Sequence, residues 1–121
     1  MTQRLNIVEA TMENGELLLK ADSDIALSEL AATGRMLVDS DHLSFIYLAE
    51  LDGEYTYIAM PEAVWPQLKQ ALDSNLEVFV AGGGSRFQLE GLQEEMDYLI
   101  DNIKGNSNYG EEMASKVESI F

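Results

Sequence analysis

Two Asp-Ser-Asp triplets carry most of the chemical potential of this chain: Asp22-Ser23-Asp24, and Asp39-Ser40-Asp41 followed at once by His42. Carboxylates two residues apart can grip a hard cation such as magnesium or calcium, and an adjacent imidazole adds a base. Asp39, Asp41 and His42 are therefore candidates for a metal-dependent hydrolase. The second triplet fails the calcium-loop pattern, because Leu43 and Ser44 occupy the positions that need an oxygen ligand and a glycine, although Glu50 falls at the twelfth. The competing reading is structural, with Asp and Ser forming Asx turns and caps ahead of a strand. His42 is the only histidine, there is no cysteine, and no Gly-x-Ser-x-Gly elbow is present. That balance favours a protein that is not an enzyme.

Three further features invite a functional reading. Arg35, after Gly34, could bind a carboxylate or phosphate, but pairing with Asp39 or Asp41 is the favoured expectation. Gly82-Gly83-Gly84-Ser85 lacks the lysine of a phosphate-binding loop and precedes a strand, so it reads as a hairpin loop. The segment Gly105-Asn106-Ser107-Asn108-Tyr109-Gly110 is dense in hydrogen-bonding groups between two glycines. It serves either to stop one helix and cap the next, or as a recognition loop in which Asn106, Asn108 and Tyr109 bind a ligand or partner.

These residues must be positioned by hairpins and helices. Asn14-Gly15 suits a two-residue type I′ turn. It would place Glu13 opposite Glu16, with Val8, Ala10 and Met12 beside Leu17, Leu19 and Ala21 on one apolar face. Glu9 and Lys20 then pair on the other face. Asp52-Gly53 predicts a second hairpin in which Phe45, Tyr47, Ala49 and Leu51 share a face with Ile58 and Met60. Its opposite face is also apolar, with Ile46 and Leu48 beside Tyr55, Tyr57 and Ala59. Such a surface needs cover on both sides, from helices or from a second chain. A third hairpin turns through residues 82–85 as a four-residue loop, pairing Val80 with Phe87 and Val78 with Leu89.

Helices are predicted near 66–73, with Pro66 in the first turn, near 92–104 and near 111–120, from apolar spacing at the helical period. A weaker one lies within 22–34, capped by Asp24 or Ser28 and stopped at Gly34. The stripe Glu90, Glu94, Asp97, Asp101 accompanies the 92–104 helix, either as a solvated face or as a dock for a basic partner. The expected fold is α+β: one globular domain over residues 1–121, with a mainly antiparallel sheet of about six strands built from three hairpins and two to four helices packed on it.

Composition narrows the function classes. The 121 residues hold 22 Asp and Glu against 7 Lys and Arg, a formal charge of −15. The excess is even, with 11 acids and 3 bases in residues 1–60 and 11 and 4 in residues 61–121. Such a field repels nucleic acid and anionic lipid and attracts basic proteins. No stretch of about 20 apolar residues and no secretory leader is visible, and cysteine is absent, so a soluble cytoplasmic protein without a cofactor is expected.

The runs Gly34-Arg35-Met36-Leu37-Val38-Asp39-Ser40-Asp41-His42-Leu43 and Gly105-Asn106-Ser107-Asn108-Tyr109-Gly110-Glu111-Glu112-Met113 resemble the YjbL-like family of small uncharacterised proteins of bacilli and their relatives. The likeness spans nearly the whole chain, including the prolines around Trp65. The resemblance implies a bacterial cytoplasmic protein and brings no activity, cofactor or catalytic residue with it. The reading is thus a non-enzymatic acidic binding or regulatory protein, as a homodimer if the two-faced hairpin is covered by a second copy. Its candidate surface is Arg35, Asp39, Asp41 and His42 with Asn106, Asn108 and Tyr109. The alternatives are the metal-dependent hydrolase, or an acidic nucleic-acid mimic or inhibitor of a basic protein.

Overall fold

A computed structural model describes residues 3–22, 27–82, 84–104 and 107–121. Seven strands form one sheet: β1 Gln3–Glu13, β2 Glu16–Ala21, β3 Ala31–Asp39, β4 Ser44–Leu51, β5 Glu54–Pro61, β6 Glu77–Gly82 and β7 Ser85–Gln88. Three helices, α1 Trp65–Asp73, α2 Leu92–Ile103 and α3 Glu111–Ile120, pack against it. The strand order is β3-β4-β5-β1-β2-β6-β7. The fold is α+β, but the sheet is mixed rather than mainly antiparallel, and has seven strands rather than six. The joins β1–β5 and β2–β6 are parallel, and they link the hairpins to one another. Turn residues specify only the antiparallel partner across the turn, so these two long-range joins leave no local signal.

The hairpin registers follow their turns. Asn14 and Gly15 both take positive φ, and Glu13 faces Glu16, Met12 Leu17, Ala10 Leu19 and Glu9 Lys20, as expected. The β4–β5 register matches as well, with Tyr47 opposite Ile58 and Phe45 opposite Met60. In the third hairpin Val80 faces Phe87 as predicted, but pairing continues to Gly82 and Ser85, so the loop is two residues shorter than expected.

The expected partnership of Val8 with Ala21 fails. A bulge sets Ile7 opposite Ala21 and Glu9 opposite Lys20, leaving Val8 as the extra residue, 59% exposed. The bulge also marks where β1 changes partners: Gln3–Asn6 pair with β5, and the residues from Ile7 onward pair with β2. One extra residue inverts the alternation, so Leu5 and Ile7 point into the core before the bulge while Ala10 and Met12 pack against it afterwards. Asp22 clamps the junction. Its carboxylate accepts from the Asn6 backbone N–H at 3.1 Å and from Asn6 Nδ2 at 3.2 Å, while its own N–H donates to the Asn6 carbonyl.

The predicted helix within 22–34 is absent from the described part of that segment, where only Leu27–Glu29 form a 3-10 turn; Asp24 lies outside the described residues. Gly34 does not stop a helix. It sits in a bulge of β3, between the Ala32–Ala49 and Arg35–Leu48 pairs. The other helices form within a residue or so of expectation. Trp65, Leu68 and Ala71 of α1, Met96, Ile100 and Ile103 of α2, and Met113 and Val117 of α3 are buried against Leu5, Leu17, Tyr47, Ile58 and Met60. Each such aliphatic or aromatic side chain contributes about 1.5–3 kcal/mol by leaving water. Trp65 Nε1 donates to the Met60 carbonyl at 3.0 Å, and its ring packs with Phe45 and Phe121.

The sheet curls around these helices until its two ends meet. The Tyr47 hydroxyl donates to the Glu90 carbonyl and accepts from the Gly34 N–H at 3.3 Å. A Cβ built on Gly91 would lie 3.2 Å from the Gly34 Cα and would force φ +79° on a side chain, so this seam between β3 and the turn entering α2 favours glycine at 91.

Helices therefore cover one face of the β4–β5 hairpin. On the other, Ile46, Leu48 and Ala59 form a separate small cluster with Tyr57 packed on it. No helix lies over it among the described residues. An ion pair does.

Candidate functional site

The connection between β3 and β4 folds back through a 3-10 turn, Ser40–His42. Asp39 caps it, its side chain accepting from the His42 N–H at 3.3 Å, and Leu43 leaves it in the left-handed region at φ 46°. The capping role expected of the triplet is therefore met by Asp39. The same carboxylate lies 2.9 Å from His42 Nδ1 and 3.2 Å from Arg4 Nη1. Partial burial pushes the Asp39 carboxyl upward, but the hydrogen bonds from His42, its charge and Arg4 outweigh that and hold it below the usual carboxylate range. An ionised carboxylate only accepts, so His42 Nδ1 donates to Asp39, and the rest of the imidazole is exposed.

Arg4 belongs to β1, separated from β3 by β5 and β4, so its bond to Asp39 closes over the outer face of those strands. Arg4 Nε also donates to Asn6 Oδ1 at 3.1 Å, and Asn6 is the residue held by Asp22. The result is a continuous polar chain, Asp22–Asn6–Arg4–Asp39–His42. It borders a groove of about 500 Å³ lined by Arg4, Asn6, Val8, His42, Ser44 and Pro61. Asp22 is fully exposed, and its carboxyl is held below the usual range by the side-chain and backbone hydrogen bonds from Asn6.

An Asp–His pair with an exposed imidazole resembles half of a nucleophilic site. The other half does not assemble. The Ser44 hydroxyl is buried and donates to the His42 carbonyl at 3.0 Å, away from the imidazole. Nor does a cation site form: among the described residues no three His, Asp or Glu side chains converge. Asp39 is committed to Arg4 and His42, and Asp41 is exposed on the turn.

The expected Arg35–Asp39 or Arg35–Asp41 pair is not made. Four residues apart on one strand, Arg35 and Asp39 are about 13 Å apart along the chain, beyond mutual reach. Arg35 Nη1 lies instead 3.4 Å from the Tyr55 hydroxyl, and Arg4 takes the place beside Asp39. Of the second predicted loop, Asn106 lies outside the described residues. Asn108 and Tyr109 belong to a 3-10 turn, Ser107–Tyr109, between α2 and α3, and Tyr109 packs on the core.

A second concavity lies at the opposite end of the sheet. The turn after α1, the start of β6 and the entry to α2 enclose about 390 Å³. Leu72 and Leu76 supply apolar lining, and Glu77, Glu90, Glu94 and Asp97 supply four carboxylates, with no Lys or Arg among the lining residues described. Three of those acids were legible in the sequence as the α2 stripe. Glu77, Leu72 and Leu76 were not, since only the β2–β6 join brings the α1–β6 turn beside α2. The four acids of α2, Glu94, Glu95, Asp97 and Asp101, meet no base within the helix, and Tyr98 stands among them 65% exposed. Glu94 and Glu95 also suit the positive end of the helix dipole.

Comparison with known proteins places the chain. It belongs to UPF0738, a family of unknown function whose model matches residues 5–121. It is similar to the UPF0738 protein YjbL of Bacillus subtilis strain 168, at 42% identity over 121 residues, covering 100% of this chain and 99% of the relative. It is 42% identical to a UPF0738 protein of Bacillus velezensis and 43% identical to one of Bacillus licheniformis, with the same coverage. No solved structure matches.

Proposed function

We propose that this protein is a non-enzymatic binding protein of the bacterial cytoplasm that receives a basic segment of another protein in the cleft between the α1–β6 turn and α2. The observation that carries this reading is the lining: leucines together with the four acidic residues Glu77, Glu90, Glu94 and Asp97, and no Lys or Arg among the described lining residues. A lysine or arginine side chain matches that arrangement, its aliphatic stem on the leucines and its charge among the carboxylates. The overall charge of −15 adds long-range attraction and speeds encounter. No helix among the described residues is long and apolar enough to cross a membrane. The incomplete Asp39–His42 pair favours binding over hydrolysis.

The test is calorimetric titration with a Lys/Leu-alternating peptide, comparing wild type, Glu94→Lys/Asp97→Lys and the charge-matched Glu111→Lys/Glu112→Lys. Loss confined to the α2 pair, with affinity falling steeply as salt rises, supports the cleft. Equal losses in both variants would reduce the effect to net charge and remove the site.

A further inference from the structure

We propose that the free edge of β3 pairs antiparallel with the same edge of a second copy, with the two-fold axis at Leu37. β3 is the terminal strand of the sheet: among the described residues it pairs with β4 and no other strand, and α2 packs beside it. Its first half is closed by the turn that brings Gly91 against Gly34. Its second half, Arg35–Asp39, carries no proline, lysine or bulge, the devices that usually protect an edge. The other edge, β7, is only four residues long.

The sequence of this open half is self-complementary. Antiparallel pairing about Leu37 sets Leu37 opposite Leu37 of the second copy, Met36 opposite Val38, and Arg35 opposite Asp39. Arg35 and Asp39 flank Leu37 at two residues on either side, so all three share the outer face. Each dimer then gains two opposite-charge cross-strand pairs, and each copy supplies a second arginine to the other's Asp39–His42 turn. Three of the four large apolar side chains exposed among the described residues, Val8, Leu37 and Tyr55, lie on this same outer face. On β3, β4 and β5 and the part of β1 paired with β5, the outer positions carry Arg4 and Arg35 against Asp39 and Glu50. A five-residue edge buries less than the roughly 800 Å² per partner of a standard interface, so the dimer exchanges with monomer.

The chain has no cysteine, so an introduced thiol reports on this geometry alone. Directly opposed residues in an antiparallel pair have Cα atoms about 4.5–5.5 Å apart, within disulfide range. Leu37→Cys should form a covalent dimer in a glutathione redox buffer, whereas Tyr55→Cys, out on the sheet face, should remain reduced. In sedimentation across about 1–300 µM, wild type should show a reversible monomer–dimer equilibrium. Arg35→Glu, which sets two carboxylates opposite each other at both ends, should weaken it at least about tenfold with an unchanged circular dichroism spectrum. Cross-linking through residue 55 but not 37 would mean face-to-face stacking and overturn the edge pairing. A wild type monomeric throughout the range would overturn it as well.

Discussion

Replacing Tyr47 by Phe removes one oxygen and tests the seam on which both surfaces depend. That hydroxyl holds the Gly34 N–H on β3 and the Glu90 carbonyl at the mouth of the α2 cleft. The ring remains, packed edge-on against Phe87 at 6.4 Å, so the substitution leaves no large void. What is lost is one partner for each of two backbone groups. An unpaired buried donor or acceptor costs about 1–3 kcal/mol, so the variant should lose about 2 kcal/mol, allowing for partial access of water to the seam. For a chain of this size that corresponds to a fall of about 6–10 °C in melting temperature. The alkaline limb gives a second readout. Burial pushes the Tyr47 phenol up, the Glu90 charge adds to this, and the Gly34 N–H partly offsets it. A phenol harder to ionise in the folded than in the unfolded state contributes stability that is complete below the ordinary value of about 10 and declines as pH rises above it. Tyr47→Phe should therefore flatten the alkaline decline of stability. Urea unfolding of both proteins from neutral pH to about pH 11 measures both effects. A loss below about 0.5 kcal/mol, with an unchanged alkaline limb, would refute the claim that this hydroxyl joins the sheet edges.

Other expectations follow from single contacts. Gly91→Ala and Gly84→Ala both force a side chain to φ +79°, but only at 91 would the new Cβ meet backbone, 3.2 Å away. Both should cost about 1–2 kcal/mol, with at least about 1 kcal/mol more at Gly91, read from denaturant midpoints. Asp39→Asn should lower stability near neutral pH by about 1 kcal/mol, given the partial exposure of its partners. Because the Asp39 carboxyl titrates lower folded than unfolded, its contribution is present above the ordinary value near 3.8 and is lost as pH falls through the folded value, so wild type and variant should converge in acid. Val8→Thr should change stability by less than about 0.5 kcal/mol, while Ile7→Ala should cost about 2–5 kcal/mol. Equal costs at the two positions would mean the β1 bulge is misplaced.

The parts of this fold that reasoning from sequence reached are those where chemistry acts over a few residues. Asn14-Gly15 and Asp52-Gly53 determine their hairpins because positive φ at both positions selects the turn, and the turn sets the register. The spacing of Leu92, Met96, Ile100 and Ile103 suffices for α2. β3 escaped because Ala31, Ala32 and Gly34 are poor strand residues and the Gly34 bulge interrupts the alternation that Met36 and Val38 resume. The parallel joins and the pairing of Arg4 with Asp39 are set by packing between distant segments. Asp39 does hold His42 within the turn, but the arginine beside it comes from β1 rather than from Arg35. Nothing near residue 39 points to position 4.

The placement of the few bases gives the acidity a direction. Arg4 lies beside Asp39, Arg86 beside Glu16, Lys69 beside Asp73 and Lys116 beside Glu62, while Lys104 donates to the Phe121 carbonyl and Lys20 faces Glu9 across the β1–β2 ladder. None of these lies within Leu92–Ile103, although Lys104 caps the C-terminus of α2. A helix with four acids, no base of its own and an exposed tyrosine bears repulsion of a few tenths of a kcal/mol per like-charged pair. Solubility does not require it, since a net charge of about 2–8 in magnitude serves a small domain. One lysine on the outer turns of α2 would relieve the strain at no cost to the core. Glu94 and Asp97 of this helix line the cleft, so on the function proposed above a cation-bearing partner there would offset part of that repulsion.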